Sequence, residues 1–208
     1  MAECDPVVFL LDDEEAVVVA LGRLLRASGF TIRAFTSVHA FLVAHDLEVP
    51  GCLVTDVRMP GMNGLELQRA LTAGEFSRSI VFITGHADVR TTVQAMKAGA
   101  VTFLSKPVER GELISAIEEA LRKDGEARAR HRERQDISRR LATLTPRERQ
   151  VLELVATGML NKQIAVELGA AEKTIKVHRG RIMEKMRVGT ATALVRLLSR
   201  AGAPSTTA

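Results

Sequence analysis

The first 121 residues contain five short strand patterns, most of them apolar runs, that alternate with segments of helical periodicity. Parallel neighbouring strands need a crossover connection, and a helix usually supplies it. The alternation therefore predicts an α/β domain with a doubly wound, five-stranded parallel sheet. The predicted strands are 7–11, 31–35, 52–55, 80–83 and 101–104, and the predicted helices are 14–27, 37–44, 64–72, 89–98 and 110–122.

Polar side chains follow four of these strands at the points where they end. Asp12 and Asp13 follow the first strand, Asp56 the third, Thr84 the fourth and Lys106 the fifth. In an open α/β sheet, ligands bind at the carboxyl ends of the strands, so these side chains are expected to share one crevice. Each alone has an ordinary explanation as a turn residue, a helix cap or a surface lysine. Their occurrence together at the ends of these strands favours a functional site.

That crevice has the chemistry of phosphoryl transfer to a carboxylate. Three close carboxylates require a cation, and an all-oxygen ligand set suits Mg²⁺. Lys106 supplies a point charge for a phosphoryl oxygen, and Thr84 supplies a hydroxyl donor. Asp56 is then the nucleophile that becomes an aspartyl phosphate.

Residues 1–121 resemble the receiver domain of bacterial response regulators, and within that family the FixJ type. The resemblance is carried by Asp12-Asp13, Asp56 with Met59-Pro60-Gly61, Thr84-Gly85, and Lys106-Pro107. It implies that a sensor histidine kinase phosphorylates Asp56. It also implies Mg²⁺ or Mn²⁺ bound by Asp13, Asp56 and the main-chain carbonyl of Arg58, with Asp12 reaching the ion through water, and a cis bond between Lys106 and Pro107.

The same resemblance implies a switch and a dimer. Thr84 would turn toward the phosphoryl group, and Phe103 would rotate into the space that it leaves. Phosphorylation would then favour a homodimer through a face formed by Val89, Arg90, Val93, Lys97, Val101 and Glu112. Arg58 and His86, each two residues after a site residue, are further candidates for tuning the lifetime of the phosphoryl group.

Residues 122–140 differ in kind, with 8 Lys/Arg, 4 Asp/Glu and few apolar residues. This composition predicts a charged, helical linker that is solvated and not part of a core.

The net charge of the chain changes sign at the start of this linker. Residues 1–121 carry a net charge of −6, and residues 122–208 a net charge of +10. The basic half is a candidate for binding nucleic acid.

Residues 141–208 show only helical patterns. Thr145-Pro146-Arg147-Glu148 is a capping box with proline at the first helical position. Asn161 is expected to cap a short second helix, and a third helix is expected over about 172–186. Two short helices joined by a glycine-containing turn indicate a helix-turn-helix. Ile175, Ile182 and Met186 recur on one face of the third helix and should pack inward.

This segment resembles the LuxR/NarL-type DNA-binding domain, through Thr145-Pro146-Arg147-Glu148, Gly158, Asn161-Lys162 and Thr174-Ile175-Lys176-Val177-His178. The resemblance implies binding to double-stranded DNA and dimerisation through the last helix. Within the predicted DNA-binding set, Lys176, Val177 and Arg181 are the expected base readers. The complete set is Lys162, Lys173, Thr174, Lys176, Val177, His178 and Arg181.

The two halves together predict a response regulator that activates transcription when Asp56 is phosphorylated, with RNA polymerase as a further partner. No apolar run is long enough to span a bilayer, and two cysteines suggest free thiols, so a cytoplasmic location is expected. One alternative is a metal-dependent aspartyl-phosphate phosphatase, although Asp56-Val57-Arg58 lacks the second carboxylate that such enzymes use. Another is a phosphorylation-independent scaffold or RNA binder.

Overall fold

The computed structural model describes residues 5–72, 77–85 and 89–200. Five parallel strands form one sheet in the order β2-β1-β3-β4-β5. This order places the first, third, fourth and fifth strands side by side, as the shared crevice requires. The strands are β1 Val7–Leu11, β2 Thr31–Phe35, β3 Gly51–Asp56, β4 Ser79–Thr84 and β5 Thr102–Ser105.

Helices pack on both faces of the sheet and close two cores. One core joins Phe9, Phe41, Leu53, Leu67 and Phe82, and the other joins the alternate strand residues to α1 and α5. Strand residues point alternately to the two faces, so a strand covered on both faces is apolar throughout. The helices are α1 Glu15–Ala27, α2 Val38–Ala44, α3 Gly64–Thr72, α4 Val89–Lys97 and α5 Arg110–Ala142.

Four further helices surround a separate core. Thr145 and Glu148 form the predicted capping box at the start of α6, with both reciprocal hydrogen bonds present. Ile175, Ile182 and Met186 are buried, which confirms the predicted inward face. These helices are α6 Pro146–Ala156, α7 Asn161–Glu167, α8 Glu172–Met186 and α9 Ala191–Arg200. The predicted fold, a doubly wound parallel sheet followed by an all-helical domain, is confirmed.

Helix α5 is longer than the sequence pattern suggests. It runs from Arg110 to Ala142 and includes the whole of the predicted linker. The chain divides into two compact units, Met1–Ala129 and Arg130–Ala208, so the division falls within this helix. Two linker side chains, Asp124 and Ile137, are buried, in contrast to the expectation of a wholly solvated segment. The domain limits at 121 and 141 stay a prediction.

Two smaller points concern α7 and the membrane. Asn161 is the first residue of α7 and not its cap; the cap position is Leu160, whose N–H donates to the Gln163 side chain. No helix in the described ranges is long and apolar enough to cross a membrane. Cys4 and His86 lie outside the described residues, and Cys52 is a buried free cysteine.

Candidate functional site

Lys106 joins two carboxylates at the carboxyl edge of the sheet. Its ammonium Nζ donates to Asp12 Oδ2 at 2.7 Å and to Asp56 Oδ2 at 2.8 Å. Asp12 is 2% exposed and Asp56 is 7% exposed, whereas the Lys106 side chain is 21% exposed. The crevice therefore opens to solvent beside the lysine, and two nearly buried negative charges share one cation.

The second oxygen of each carboxylate is held by the backbone that follows its strand. Asp12 Oδ1 accepts from the Glu14 N–H at 3.0 Å, and Asp56 Oδ1 accepts from the Arg58 N–H at 3.0 Å. These local turns are what an Asp at a strand end commonly forms. Here they also orient the carboxylates, so that Oδ2 of each points at Lys106. The turn role and the site role of these residues are compatible.

Lys106 is held in its charged form by this arrangement. Burial by itself lowers the pKa of the ammonium, but the hydrogen bonds and the charges of Asp12 and Asp56 outweigh it, so the pKa is raised. The backbone fixes the position of the residue as well, because the Lys106 N–H donates to the Thr84 carbonyl at 2.8 Å. The peptide bond to Pro107 is cis.

Thr84 and Phe103 lie next to this site on neighbouring strands. Thr84 ends β4 and is almost completely buried. Phe103, on β5, is half-buried and packs against the Phe82 ring, with 6.1 Å between the ring centroids. Phe103 thus lies at the margin of the core, as Phe35 does, and is less enclosed than the fully buried Phe9, Phe41 and Phe82.

The predicted metal ligands are only partly brought together. Asp12 and Asp56 converge, whereas Asp13 is exposed and the Arg58 side chain is exposed as well. Among the described residues, no three His, Cys, Asp or Glu side chains are grouped closely enough to hold a metal ion. Two converging carboxylates nevertheless fit Mg²⁺, which is commonly bound by one or two carboxylates with water or phosphate oxygens completing its shell.

The predicted dimer face is largely exposed on α4. Val89 is 81% exposed, Val93 is also exposed, and Arg90, Lys97 and Glu112 are solvent-accessible. Val101 differs from this prediction, because it is buried in the core below β4 and β5. Its N–H donates to Ile80 O, which fixes it in the sheet connection and removes it from the exposed set.

Most of the residues predicted to contact DNA are exposed on one surface of the second unit. On α8, Lys173, Thr174, Lys176, Val177 and Arg181 are exposed and His178 is half-buried, and on α7 Lys162 is exposed. The opposite face of α8 is buried in the core. A cationic, exposed helix face with a single exposed valine has the composition of a major-groove reader.

Two polar contacts that the sequence patterns did not reveal hold α8 in place. Glu148, itself buried, accepts from Lys185 Nζ at 2.6 Å as well as from the Thr145 N–H. Arg179 donates to Asn161 Oδ1 at 2.9 Å, so Asn161 connects α7 to α8 instead of capping α7. The hydrogen bond from Lys185 lowers the pKa of the Glu148 carboxyl. Both pairs hold α8 in the orientation that exposes its cationic face.

Comparison with protein families agrees with this geometry. The model of the response regulator receiver domain matches residues 8–118. The chain belongs to the response-regulator family. A second model, that of the luxR family of bacterial regulatory proteins, matches residues 142–198. The protein is therefore a response regulator with a LuxR-type DNA-binding domain, as the two halves of the sequence predicted.

Relatives of this response regulator match it over nearly its whole length. Nodulation protein W of Bradyrhizobium diazoefficiens is 41% identical over 97% of this chain and 88% of its own. Transcriptional regulatory protein FixJ of the same organism is 43% identical over 94% and 95%. Among solved structures, response regulator StyR is 46% identical over 95% of this chain and all of its own, with a TM-score of 0.82. Full-length FixJ from B. japonicum is 42% identical over 96% and 98%, with a TM-score of 0.57.

Proposed function

We propose that Asp56 is the phosphoacceptor of this response regulator and that its phosphorylation controls sequence-specific DNA binding through α8. The observation that carries the proposal is the convergence of Asp12, Asp56 and Lys106 at one edge of the sheet. The Asp56 carboxylate has one oxygen turned toward the cation and lies at the end of a buried strand, beside a crevice that opens to solvent. This is where an incoming phosphoryl group would meet it.

The transfer uses Asp56 as nucleophile and the kinase phosphohistidine as donor. A carboxylate oxygen forms the new P–O bond while the P–N bond breaks, and the electron pair of that bond returns to the imidazole ring. Lys106 releases one carboxylate contact and binds a phosphoryl oxygen, because an ammonium serves a phosphate as well as a carboxylate. Thr84, the last residue of β4, would donate its hydroxyl to another phosphoryl oxygen.

A divalent cation, Mg²⁺ or Mn²⁺, would neutralise charge at this edge when bound. Asp12, Asp13, Asp56 and the main-chain carbonyl of Arg58 are the groups that would hold it. Asp12 and Asp56 already supply two converging oxygens, and the exposed Asp13 follows Asp12 directly in the chain.

Phosphorylation gives Asp56 about −1.5 to −2 charges in place of the single charge of its carboxylate, and adds three acceptor oxygens beside Asp12, which changes what Thr84 and Phe103 pack against. The half-buried Phe103 then moves inward as Thr84 turns. The exposed α4 face, with Val89 and Val93 at its centre, becomes the surface of a homodimer. Two DNA-binding units brought together in this way read paired half-sites, where RNA polymerase would be the further partner.

Footprinting on genomic fragments tests the proposal, comparing the wild type with Asp56→Asn in the presence and absence of acetyl phosphate. We expect acetyl phosphate to increase occupancy of specific sites for the wild type alone. Equal occupancy of all four samples would refute phosphorylation control. Lys173→Ala should reduce the log–log salt slope by about one, whereas Lys176→Ala should relax sequence preference.

The rival phosphatase function needs an acid two residues after the nucleophile. That position holds Arg58, whose side chain is exposed and whose backbone N–H is already bonded to Asp56. Sustained turnover of a small phosphomonoester by the wild type, abolished in Asp56→Asn, would favour the enzyme instead. Arg58→Ala additionally tests whether that side chain tunes the phosphoryl lifetime, since an unchanged dephosphorylation rate would exclude it.

A further inference from the structure

A buried charged cluster lies at the amino edge of the sheet, at the opposite end of β3 from Asp56. Asp124 of α5 is 2% exposed, and its Oδ2 accepts from the Gly51 N–H at 3.0 Å. The same oxygen accepts from Arg128 Nε at 2.6 Å. Gly51 is the first residue of β3. One carboxylate thus ties the start of this strand to helix α5.

Arg128 makes its own contacts with the chain that leads into β3. Its guanidinium donates to the Val49 carbonyl at 2.9 Å and to the Glu48 carbonyl at 3.3 Å. These bonds use the planar fork of an arginine, which lysine cannot reproduce. Residues 124 and 128 lie one helical turn apart, so both reach the same edge of the sheet.

Arg78 connects the cluster to β4. It lies immediately before Ser79, the first residue of β4, and its guanidinium donates to Gly51 O at 3.1 Å. The same side chain donates to the Asp46 and Val49 carbonyls and lies over the Phe9 ring, 4.3 Å from its centroid. Burial lowers the pKa of Arg78 to about 10, so it stays charged at neutral pH.

The two strands held by this cluster are those that end at the site. β3 runs from Gly51 to Asp56 and β4 from Ser79 to Thr84, and the two are hydrogen-bonded in register. A rise of about 3.3 Å per residue separates the ends of β3 by about 16 Å. Such strands are buried and paired on both sides, so packing is the physical route that would carry a shift from one end to the other.

We propose that Asp124 and Arg128 form a latch through which the phosphorylation state of Asp56 is passed to helix α5. This inference rests on the proposed phosphorylation of Asp56. Asp124 and Arg128 act in it as positioning residues, and neither touches the phosphoryl group. Residues 130–142 of the same helix belong to the second compact unit. A change at the latch therefore acts on the helix that connects the two units.

One buried oxygen of the latch lacks a hydrogen bond, which lowers the free energy needed to open it. Asp124 Oδ1 is buried and has no hydrogen-bond partner within the described ranges. A buried carboxylate with one oxygen unpaired carries a desolvation cost that its hydrogen bonds must offset. A shift of β3 that lengthens the bond between Gly51 and Asp124 removes part of that offset and favours solvation of the helix turn at 122–130.

Amide hydrogen exchange of the full-length protein tests the latch. Peptides covering 122–130 are followed with Mg²⁺, with and without acetyl phosphate, while intact mass reports the phosphate on Asp56. We expect the exchange rate at 122–130 to increase by about fivefold or more when the wild type is phosphorylated. Acetyl phosphate should leave the exchange rate of Asp56→Asn unchanged. Unchanged exchange in fully phosphorylated wild type overturns the latch. Absence of the phosphate from Asp56 identifies instead a failure of the proposed function.

Variants separate the latch from general stability. Asp124→Asn and Arg128→Met should exchange rapidly at 122–130 in both states and should lose most of the difference in DNA affinity that acetyl phosphate produces. Glu126→Gln is the matched control, because it removes a charge from the same helix at an exposed ion pair, that with Arg122. It should retain the wild-type response. If Arg128→Met responds to acetyl phosphate as the wild type does, the latch is wrong, even if Asp124→Asn does not fold.

Discussion

Replacement of Lys106 by methionine should expose the repulsion that this lysine suppresses. Asp12 Oδ2 and Asp56 Oδ2 are at most about 5.5 Å apart, the sum of their distances of 2.7 and 2.8 Å from Nζ. Without the ammonium, two like charges at that separation repel by about 3 kcal/mol at an effective dielectric constant of about 20. The crevice opens to water beside Lys106, so we expect a loss of about 1–3 kcal/mol in the free energy of unfolding.

Urea unfolding at neutral pH measures this loss, because urea leaves the ionic strength unchanged. The chain has no tryptophan or tyrosine, so far-ultraviolet circular dichroism is the suitable signal. Lys123→Met is the control. That lysine pairs with Glu119 on an exposed surface, and its loss should cost no more than about 0.5 kcal/mol.

A second substitution decides whether repulsion is the cause. Asp12→Asn in the Lys106→Met background removes one of the two charges and should recover about half or more of the lost stability. If the double variant is less stable than Lys106→Met, the loss comes from packing of the lysine stem and the electrostatic reasoning is refuted. An unchanged stability of Lys106→Met itself would refute it as well.

Three further predictions concern single positions. Gly64→Ala should destabilise the first unit by about 1–3 kcal/mol in urea unfolding, because an added Cβ would lie 2.5 Å from the Asp56 carbonyl oxygen. Gly125→Ala should stabilise α5 by about 0.5–1 kcal/mol, since its Cβ meets nothing within 4 Å; a loss of stability would contradict this. The hydrogen bond from Lys185 lowers the pKa of the Glu148 carboxyl in the folded state, so its stabilisation is present above the ordinary glutamate pKa and is lost as the pH falls through the lower folded pKa. Glu148→Gln should be less stable at neutral pH and should lose less stability than the wild type as the pH falls below the ordinary pKa of a glutamate.

The fold and the site of this response regulator are predictable where apolar periodicity defines an element or a polar residue follows a strand. Three of the five strands, β1, β3 and β4, are predictable because each is a buried apolar run. The partly exposed β2 and β5 follow from their places in the alternation of strands and helices. The meeting of Asp12, Asp56 and Lys106 follows from parallel strands sharing one edge. The inward face of α8 was predicted from its spacing of apolar residues. In each case, a local pattern and one general rule of chain geometry were sufficient.

The contacts that the sequence does not predict join residues that are far apart in the chain and belong to no sequence motif. Asp124 and Arg128 have the spacing of an ordinary solvated pair on a helix, and the helix around them has little apolar periodicity. Only the position of Gly51, 73 residues earlier, makes Asp124 a buried anchor. The lone Arg78 directly before an apolar strand was the one available signal, because a charge at that position must find partners or remain in water.

The two polar clusters at the ends of β3 restrict how they can communicate. The strand between them is buried throughout, and its one hydroxyl, on Thr55, donates to the neighbouring Asp56 carbonyl. No continuous side-chain hydrogen-bond relay therefore runs along β3 within the described structure. The proposed coupling between Asp56 and Asp124 therefore requires a displacement of the packed strand. Close-packed cores shift between discrete arrangements and do not deform continuously, so a small movement at Asp56 can be preserved at the opposite edge of the sheet.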